Sequence, residues 1–409
     1  NRRIFRYSSS YPYINHLNIR LKSLLVNKER GDKKVKKKLS IFLAIMMFLL
    51  SILTGCTQSK QSAKVEEDET KDSSHVIEIT DMAGRNIVLD RPVERVVAIG
   101  SALRLYTYVN GTEKLVGVER KQQSKETGRP YIIANPELEK ITIIGEGFPA
   151  NPDPELLIDV NADVIIAGDI LDIAQIEELQ KKIGVPIVIV NCGSSAVFDQ
   201  DMYKALTIIG KIVGKEERSK ELIEYMEDGK TELTNLTKDI PEDKKPSVYM
   251  GGLSYKGVHG IESTTGNSPV LDIIGAKNVA DEIGKSGSIM IDKEQLIEWD
   301  PDILIIDENG MNIVNEDYNK NPDYYNELSA VKNDKVYGQL PYVSYYNNIE
   351  TAMADIYFLG KTLYPNEFKD IDVIEKADEI YTFMLGKPLY NIMAEKYGGY
   401  IKINLKEGL

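Results

Sequence analysis

From residue 76 onward the chain alternates short runs of apolar, mainly β-branched residues with longer stretches in which apolar positions recur every three or four residues. The runs fall at residues 95–99, 115–118, 141–144, 164–167 and 186–190, and the pattern resumes at 247–250, 303–306 and 335–337. Mainly apolar runs of this length, spaced widely enough to hold helices between them, predict strands buried on both faces of mostly parallel sheets. The fold class is therefore α/β. Between the two sets, residues 215–238 contain no proline and one interior glycine, Gly229, while Leu222, Ile223, Met226, Leu233 and Leu236 keep helical spacing. Such a helix would span about 36 Å. A single long helix between two α/β lobes confines their relative motion to small tilts.

An internal repeat points to two similar lobes. Residues 153–166 align with 292–305, a shift of 139 positions, and Asp153/Asp292, Glu155/Glu294, Leu157/Leu296, Ile158/Ile297, Asp163/Asp302 and Ile166/Ile305 are identical. Each copy reads as a short helix, an aspartate turn and a buried strand. The expected organisation is an N-terminal α/β lobe over 76–198, a helical connection over 199–245, and a C-terminal α/β lobe with terminal helices over 246–409. A cleft would separate the lobes.

The 409-residue chain carries a formal net charge of −13, the wrong sign for a protein that grips nucleic acid through a basic face. That charge is divided unevenly. Residues 1–55 hold 12 Lys/Arg and 2 Asp/Glu, and subtracting these from the totals of 50 and 63 leaves 38 against 61 in residues 56–409. A basic head on an acidic body marks a targeting segment. Lys33, Lys34, Lys36, Lys37 and Lys38 precede a mainly apolar run at 39–53. As a helix this run is about 22 Å long, short of the roughly 30 Å hydrocarbon core, so an export signal fits better than a membrane span. Leu53-Thr54-Gly55-Cys56 follows and resembles a bacterial lipobox, in which the cysteine thiol is diacylated and the chain is cut just before it. Two acyl chains anchor durably where one is marginal. On this reading 35–55 is a lipoprotein signal, Cys56 is the lipidated residue, and the polar stretch 56–75 is a flexible tether. Residues 1–34 have no place in such a signal and read as an upstream extension, with Val35 the start of translation.

With Cys56 lipidated, Cys192 is the remaining thiol, and His75 and His259 are the histidines left after the leader. This is a thin supply for a bare zinc, manganese or nickel site. A metal would arrive already chelated, and no resident cofactor is expected. Candidate ligand contacts sit in loops after strand ends. Arg104 and Tyr106 follow 95–99, Phe148 follows 141–144, Tyr255, Lys256 and His259 follow 247–250, and Tyr342, Tyr345 and Tyr346 follow 335–337. Arg104 suits a carboxylate or phosphate. Tyrosines offer flat amphipathic walls, and phenolate is a ligand for hard ferric iron. About half of these residues would merely pack or face solvent, and His259 is as readily a loop brace as a ligand. Gly360-Lys361-Thr362 and Gly284-Lys285-Ser286 mimic P-loop endings, but the earlier glycine is Asp355 in one and Val279 in the other. No Gly-x-Ser-x-Gly elbow occurs.

The lipobox, Asp81-Met82-Ala83-Gly84-Arg85 followed by the run 95–99, the duplicated glutamate-bearing units and the bridging helix together resemble the substrate-binding lipoproteins of bacterial ABC importers. The most similar group serves ferric siderophores, haem, cobalamin and related metal chelates, and the resemblance covers about residues 76–390. It implies two α/β lobes joined by one helix and closing little around ligand. It also implies a monomeric, lipid-anchored receptor outside the cytoplasm, working with permease subunits and a separate ATPase and catalysing nothing itself. Glu155 and Glu294 would dock into arginine pockets on the two permease subunits, although an acid in a helix's first turn also simply offsets the dipole. A ferric siderophore-like chelate leads as ligand. The competing readings are a corrinoid, haem or nickel/cobalt chelate, a cell-surface hydrolase using Glu146, Asp169 or Asp307, and a signalling receptor without a transporter.

Overall fold

Strict alternation of apolar and polar residues builds a hairpin, β1 (Val76–Thr80) against β2 (Asn86–Asp90), with Ile77, Ile79, Ile87 and Leu89 turned inward. The computed structural model describes residues 76–90, 92–124, 128–147, 152–168, 172–193, 197–344 and 346–406. The leader, Cys56 and the tether lie outside the described residues, as do Phe148, Asp169 and Tyr345. The hairpin turn is the Asp81 to Arg85 motif. Asp81 accepts the backbone N–H groups of Ala83 and Arg85, the Arg85 guanidinium at 2.7 Å, and the Ile189 N–H at 3.1 Å. Arg85 donates onward to the Ile187 carbonyl at 2.7 Å. The motif clips the hairpin to the edge of the first sheet.

That sheet holds β3 (Val96–Ile99), β4 (Leu115–Val118), β5 (Thr142–Ile143), β6 (Val164–Gly168) and β7 (Ile187–Val190), all parallel, in the order β5-β4-β3-β6-β7. The second sheet is built from β8 (Ser247–Gly251), β10 (Lys277–Asn278), β12 (Ile303–Asp307), β13 (Val336–Gln339) and β14 (Ile401–Lys402) in the order β10-β8-β12-β13-β14. Only β14 runs antiparallel within it. A separate antiparallel ribbon joins β9 (Ser263–Gly266) to β11 (Gly287–Met290).

Both faces of each sheet are dry. Val96, Ala98, Val164 and Ile166 enter one core, while Val97, Ile99, Ile165 and Ala167 enter another on the opposite face. The second sheet divides likewise, with Val248, Met250, Ile303 and Ile305 on one side and Tyr249, Leu304 and Ile306 on the other. One layer from each sheet belongs to the same continuous core, which also takes in Leu222, Met226 and Leu233 of the long helix Glu216–Thr237. That shared core packs the long helix against layers from both sheets.

The repeated aspartates do the same work in each half. Asp163 accepts the N–H groups of Glu94 and Arg95 at 2.8 Å, just before β3, and Asp302 accepts the N–H of Ser247 at 2.8 Å at the start of β8. Each one ties the turn before its own strand to the beginning of the neighbouring central strand.

The long helix is bound along its length to the C-terminal helices Ile349–Leu363 and Val373–Leu385. Tyr225 stacks on Phe383 at 4.0 Å and bonds Glu379, Tyr357 donates to Glu232 at 2.6 Å, and the Arg218 guanidinium lies over the Phe383 ring while bonding the Tyr108 and Phe383 carbonyls. Gly360, in the helix Ile349–Leu363, packs against the tip of the ring of buried Phe368, and a methyl group there would lie 2.2 Å from its Cζ. Gly360→Ala should therefore cost about 3 kcal/mol in urea unfolding, since a wedged ring has no free side to move into. A neutral result would mean that the helix can shift.

Candidate functional site

Loops that follow the strand ends of the two sheets meet in a polar seam. The run after β3 enters the helix Ala102–Asn110, where about 3.6 residues per turn puts Arg104 and Tyr108 on one face and Tyr106 nearly opposite. Arg104 is buried, its guanidinium 5.0 Å above the ring of Tyr131, and Nη2 donates to the Ser344 carbonyl of the other half at 3.3 Å. Burial works against its charge, but Tyr131, Tyr108, Glu350 and Cys192 outweigh that and raise its pKa. Tyr108 donates to Glu350 across the seam, and Asn348 donates to the Gly128 carbonyl at 2.9 Å.

Beneath Arg104 lies a supporting chain. Glu119 accepts the Gly100 N–H at 2.9 Å and Gln122 donates to the Gly100 carbonyl at 3.1 Å. Gln122 in turn accepts from the Tyr131 hydroxyl at 2.6 Å and from Arg129 at 3.3 Å. Tyr131 is thus pinned by its hydroxyl while its ring carries Arg104.

Other expected contacts are placed differently. Tyr106 is buried inside the first half, its hydroxyl bonded to the Glu113 carbonyl at 2.5 Å and to Asn110. It faces away from the seam because it lies two residues along the helix from Arg104. Tyr255 and Lys256 are exposed, the ammonium 5.2 Å over the ring, and His259 Nε2 bonds the Tyr255 carbonyl at 2.8 Å. His259 braces its own loop. Tyr342 is buried beside Asp307 and Asp355, whose charges join burial in raising its pKa. Tyr346 is half-buried in a tight loop with φ 71°, its carbonyl bonded to the Ser344 N–H at 3.0 Å. Arg104 therefore bonds the loop that carries Tyr342 and Tyr346, and the seam and its support also hold residues that the strand-end rule passed over: Tyr108, Glu119, Gln122, Arg129, Tyr131 and Glu350.

Three buried carboxyl groups stand behind the second sheet's end. Burial pushes Asp307 up to about 8, and it pushes Glu308 up to about 8 with some help from the charge of Asp307. Asp355 is held well above the carboxylate range by burial, and Asp307 and Glu308 add to this. Asp307 accepts the Asn309 N–H at 3.0 Å, Glu308 the Gly399 N–H at 2.8 Å, and Asp355 the Tyr400 hydroxyl at 2.9 Å. Glu146, by contrast, is exposed and paired with Arg120 at 2.9 Å. Glu146 thus sits at the surface, whereas Asp307 is buried. No group of three His, Cys, Asp or Glu poised to hold a metal ion occurs among the described residues.

Glu155 and Glu294 are both exposed in the first turns of equivalent helices, Pro154–Asp159 and Lys293–Trp299. Asp153 caps the first by accepting from Glu155 N–H at 2.8 Å.

Two parallel-stranded α/β halves, one stiff helix and a polar seam at the strand ends define a ligand-capturing receptor fold. The chain belongs to the periplasmic binding protein family, whose model matches residues 104–341. Molybdate-binding protein MolA of Haemophilus influenzae is 22% identical over 82% of this chain and 96% of its own length. Its molybdate-bound structure has a TM-score of 0.61 at 20% identity, covering 76% of this chain and 98% of that one. YvrC of Bacillus subtilis, an uncharacterized ABC transporter substrate-binding lipoprotein, is 21% identical over 82% of this chain and all of its own. The Fe(3+)-citrate-binding protein YfmC of the same bacterium is 24% identical over 73% of this chain and 89% of its own. The family is one of solute-binding proteins, and this chain is a binding protein rather than an enzyme.

Proposed function

We propose that this protein is an extracytoplasmic receptor, lipid-anchored at Cys56, that captures an anionic iron chelate and delivers it to an ABC importer. Arg104 carries the reading. A guanidinium buried at the seam meets a negative group where attraction is much stronger than in water, and its planar fork matches a carboxylate. Ferric complexes of carboxylate ligands offer such groups, and the relative YfmC is named for one of them. Tyr131 holds the guanidinium in place, and the half-buried Tyr346 offers a flat wall in the loop that Arg104 bonds. The lipid anchor rests on the Leu53 to Cys56 motif and on kinship with YvrC, itself named a lipoprotein. Docking to the permease is assigned to Glu155 and Glu294. A second reading, a simple oxyanion such as molybdate, is favoured by the kinship with MolA and would use the same arginine.

Equilibrium dialysis of the full chain with ferric citrate tests the assignment. Arg104→Ala should weaken binding by between about 10-fold and 100-fold, the worth of a charged hydrogen bond. Arg104→Lys should recover only part, because an ammonium lacks the fork. Unchanged affinity in Arg104→Ala would remove the basis of the reading.

A further inference from the structure

We infer that Glu350 is a specificity-determining residue, a built-in counter-anion to Arg104 that limits how much negative charge the seam accepts. The inference rests on Arg104 being the ligand's partner. Glu350 is wholly buried in the first turn of the helix Ile349–Leu363 and reaches the seam from the half opposite Arg104. Its Oε2 accepts from the hydroxyl of Tyr108, which lies four residues beyond Arg104 on the same helical face. Its Oε1 is buried without a hydrogen-bond partner among the described residues. Burial raises the pKa of Glu350, and the positive charge of Arg104 pulls it back down. The two side chains therefore share one electrostatic environment.

An anion arriving at Arg104 would share that cation with a carboxylate that cannot leave. In a site of low effective dielectric, two like charges repel far more strongly than in water. Each added negative charge on the ligand therefore meets a rising penalty, so the seam prefers an anion of low charge or a chelate whose metal has already neutralised most of its ligand. Tyr108 fixes the carboxylate in place. Replacing Glu350 with glutamine keeps the shape and an oxygen to accept from Tyr108, and removes only the charge.

The test is calorimetry of the full chain with sodium molybdate and with ferric citrate, comparing wild type, Glu350→Gln and Tyr108→Phe. Glu350→Gln should tighten binding of each anion by at least about tenfold. Tyr108→Phe keeps the charge and breaks the cross-seam bond, and it should give no tightening. Equal tightening in both variants would overturn the inference, because loosening of the seam and not charge would then govern affinity. Unchanged or weaker binding by Glu350→Gln would overturn it as well. If wild type binds neither probe, the ligand assignment fails. Even so, binding gained by Glu350→Gln upholds the role of Glu350, and silence in both proteins overturns it. A second neutral variant, Glu350→Met, answers the same question if the amide disturbs folding.

Discussion

Asp307→Asn should stabilise the protein, and the gain should grow as pH rises from 5 to 8. Asp307 is wholly buried, and burial lifts its carboxyl to about 8. The folded chain therefore holds a proton that the unfolded chain releases near pH 4, and folding takes up protons across that interval. Where the folded state binds more protons, stability falls with pH. Wild type should lose up to about 1.4 kcal/mol per pH unit through this group, levelling off above pH 8. Glu308, raised to about 8, and Asp355, raised further by burial and by both neighbours, slope the same way. Asparagine at 307 keeps an oxygen for the Asn309 N–H and has no proton to lose. Urea unfolding at pH 5 and pH 8 reads the difference directly. A wild-type stability that rises over this range, or a variant with the wild-type slope, would show that these carboxyl groups are charged in the folded protein.

Reversing charge at both Glu155 and Glu294 should bring uptake to background while leaving ligand affinity unchanged. Both side chains are exposed, and they sit in the first turns of the helices that precede β6 and β12, the equivalent strands of the two halves. A partner with pseudo-two-fold symmetry would find the same carboxylate twice. The local cost is small, since an exposed first-turn acid adds only about 0.3–1 kcal/mol against the helix dipole. Thermal melting of Glu155→Lys/Glu294→Lys should therefore stay close to wild type. Radiolabelled iron uptake in cells lacking the chromosomal copy is the readout, with the single variants intermediate. Normal uptake by the double variant would remove the docking role.

The sheets were legible in the sequence because each central strand is buried on both faces, so that every residue of a run such as 164–167 had to be apolar. The ribbon of β9 and β11 escaped notice because Ser263-Thr264-Thr265-Gly266 carries no apolar signal, and β10 and β14 are two-residue edges. The repeat at 153–166 and 292–305 was visible, and its chemical sense, Asp163 and Asp302 each holding the start of a neighbouring strand, needed the fold.

The seam was only half legible. Strand ends pointed to Arg104 and brought Tyr106 along, because nothing in a sequence run shows which side of the following helix faces the cleft. The same rule applied to β4 would have selected Glu119, the residue directly after Val118. Tyr108 and Glu350 are 242 positions apart, so their pairing exists only in the fold. Arg129 and Gln122 lie on short helical turns whose burial no local pattern announces.

Titration calorimetry of the full chain with ferric citrate, sodium molybdate and the free ions of iron, nickel, cobalt and zinc tests the anionic-chelate assignment most directly. It does not depend on Trp299, which ends the helix that carries Glu294 and whose indole bonds Glu282. The expected result is that an anionic species binds through Arg104 and that every free cation binds more weakly than the ferric chelate. A free metal ion binding more tightly than either anion, with Arg104→Ala unaffected, would contradict the assignment.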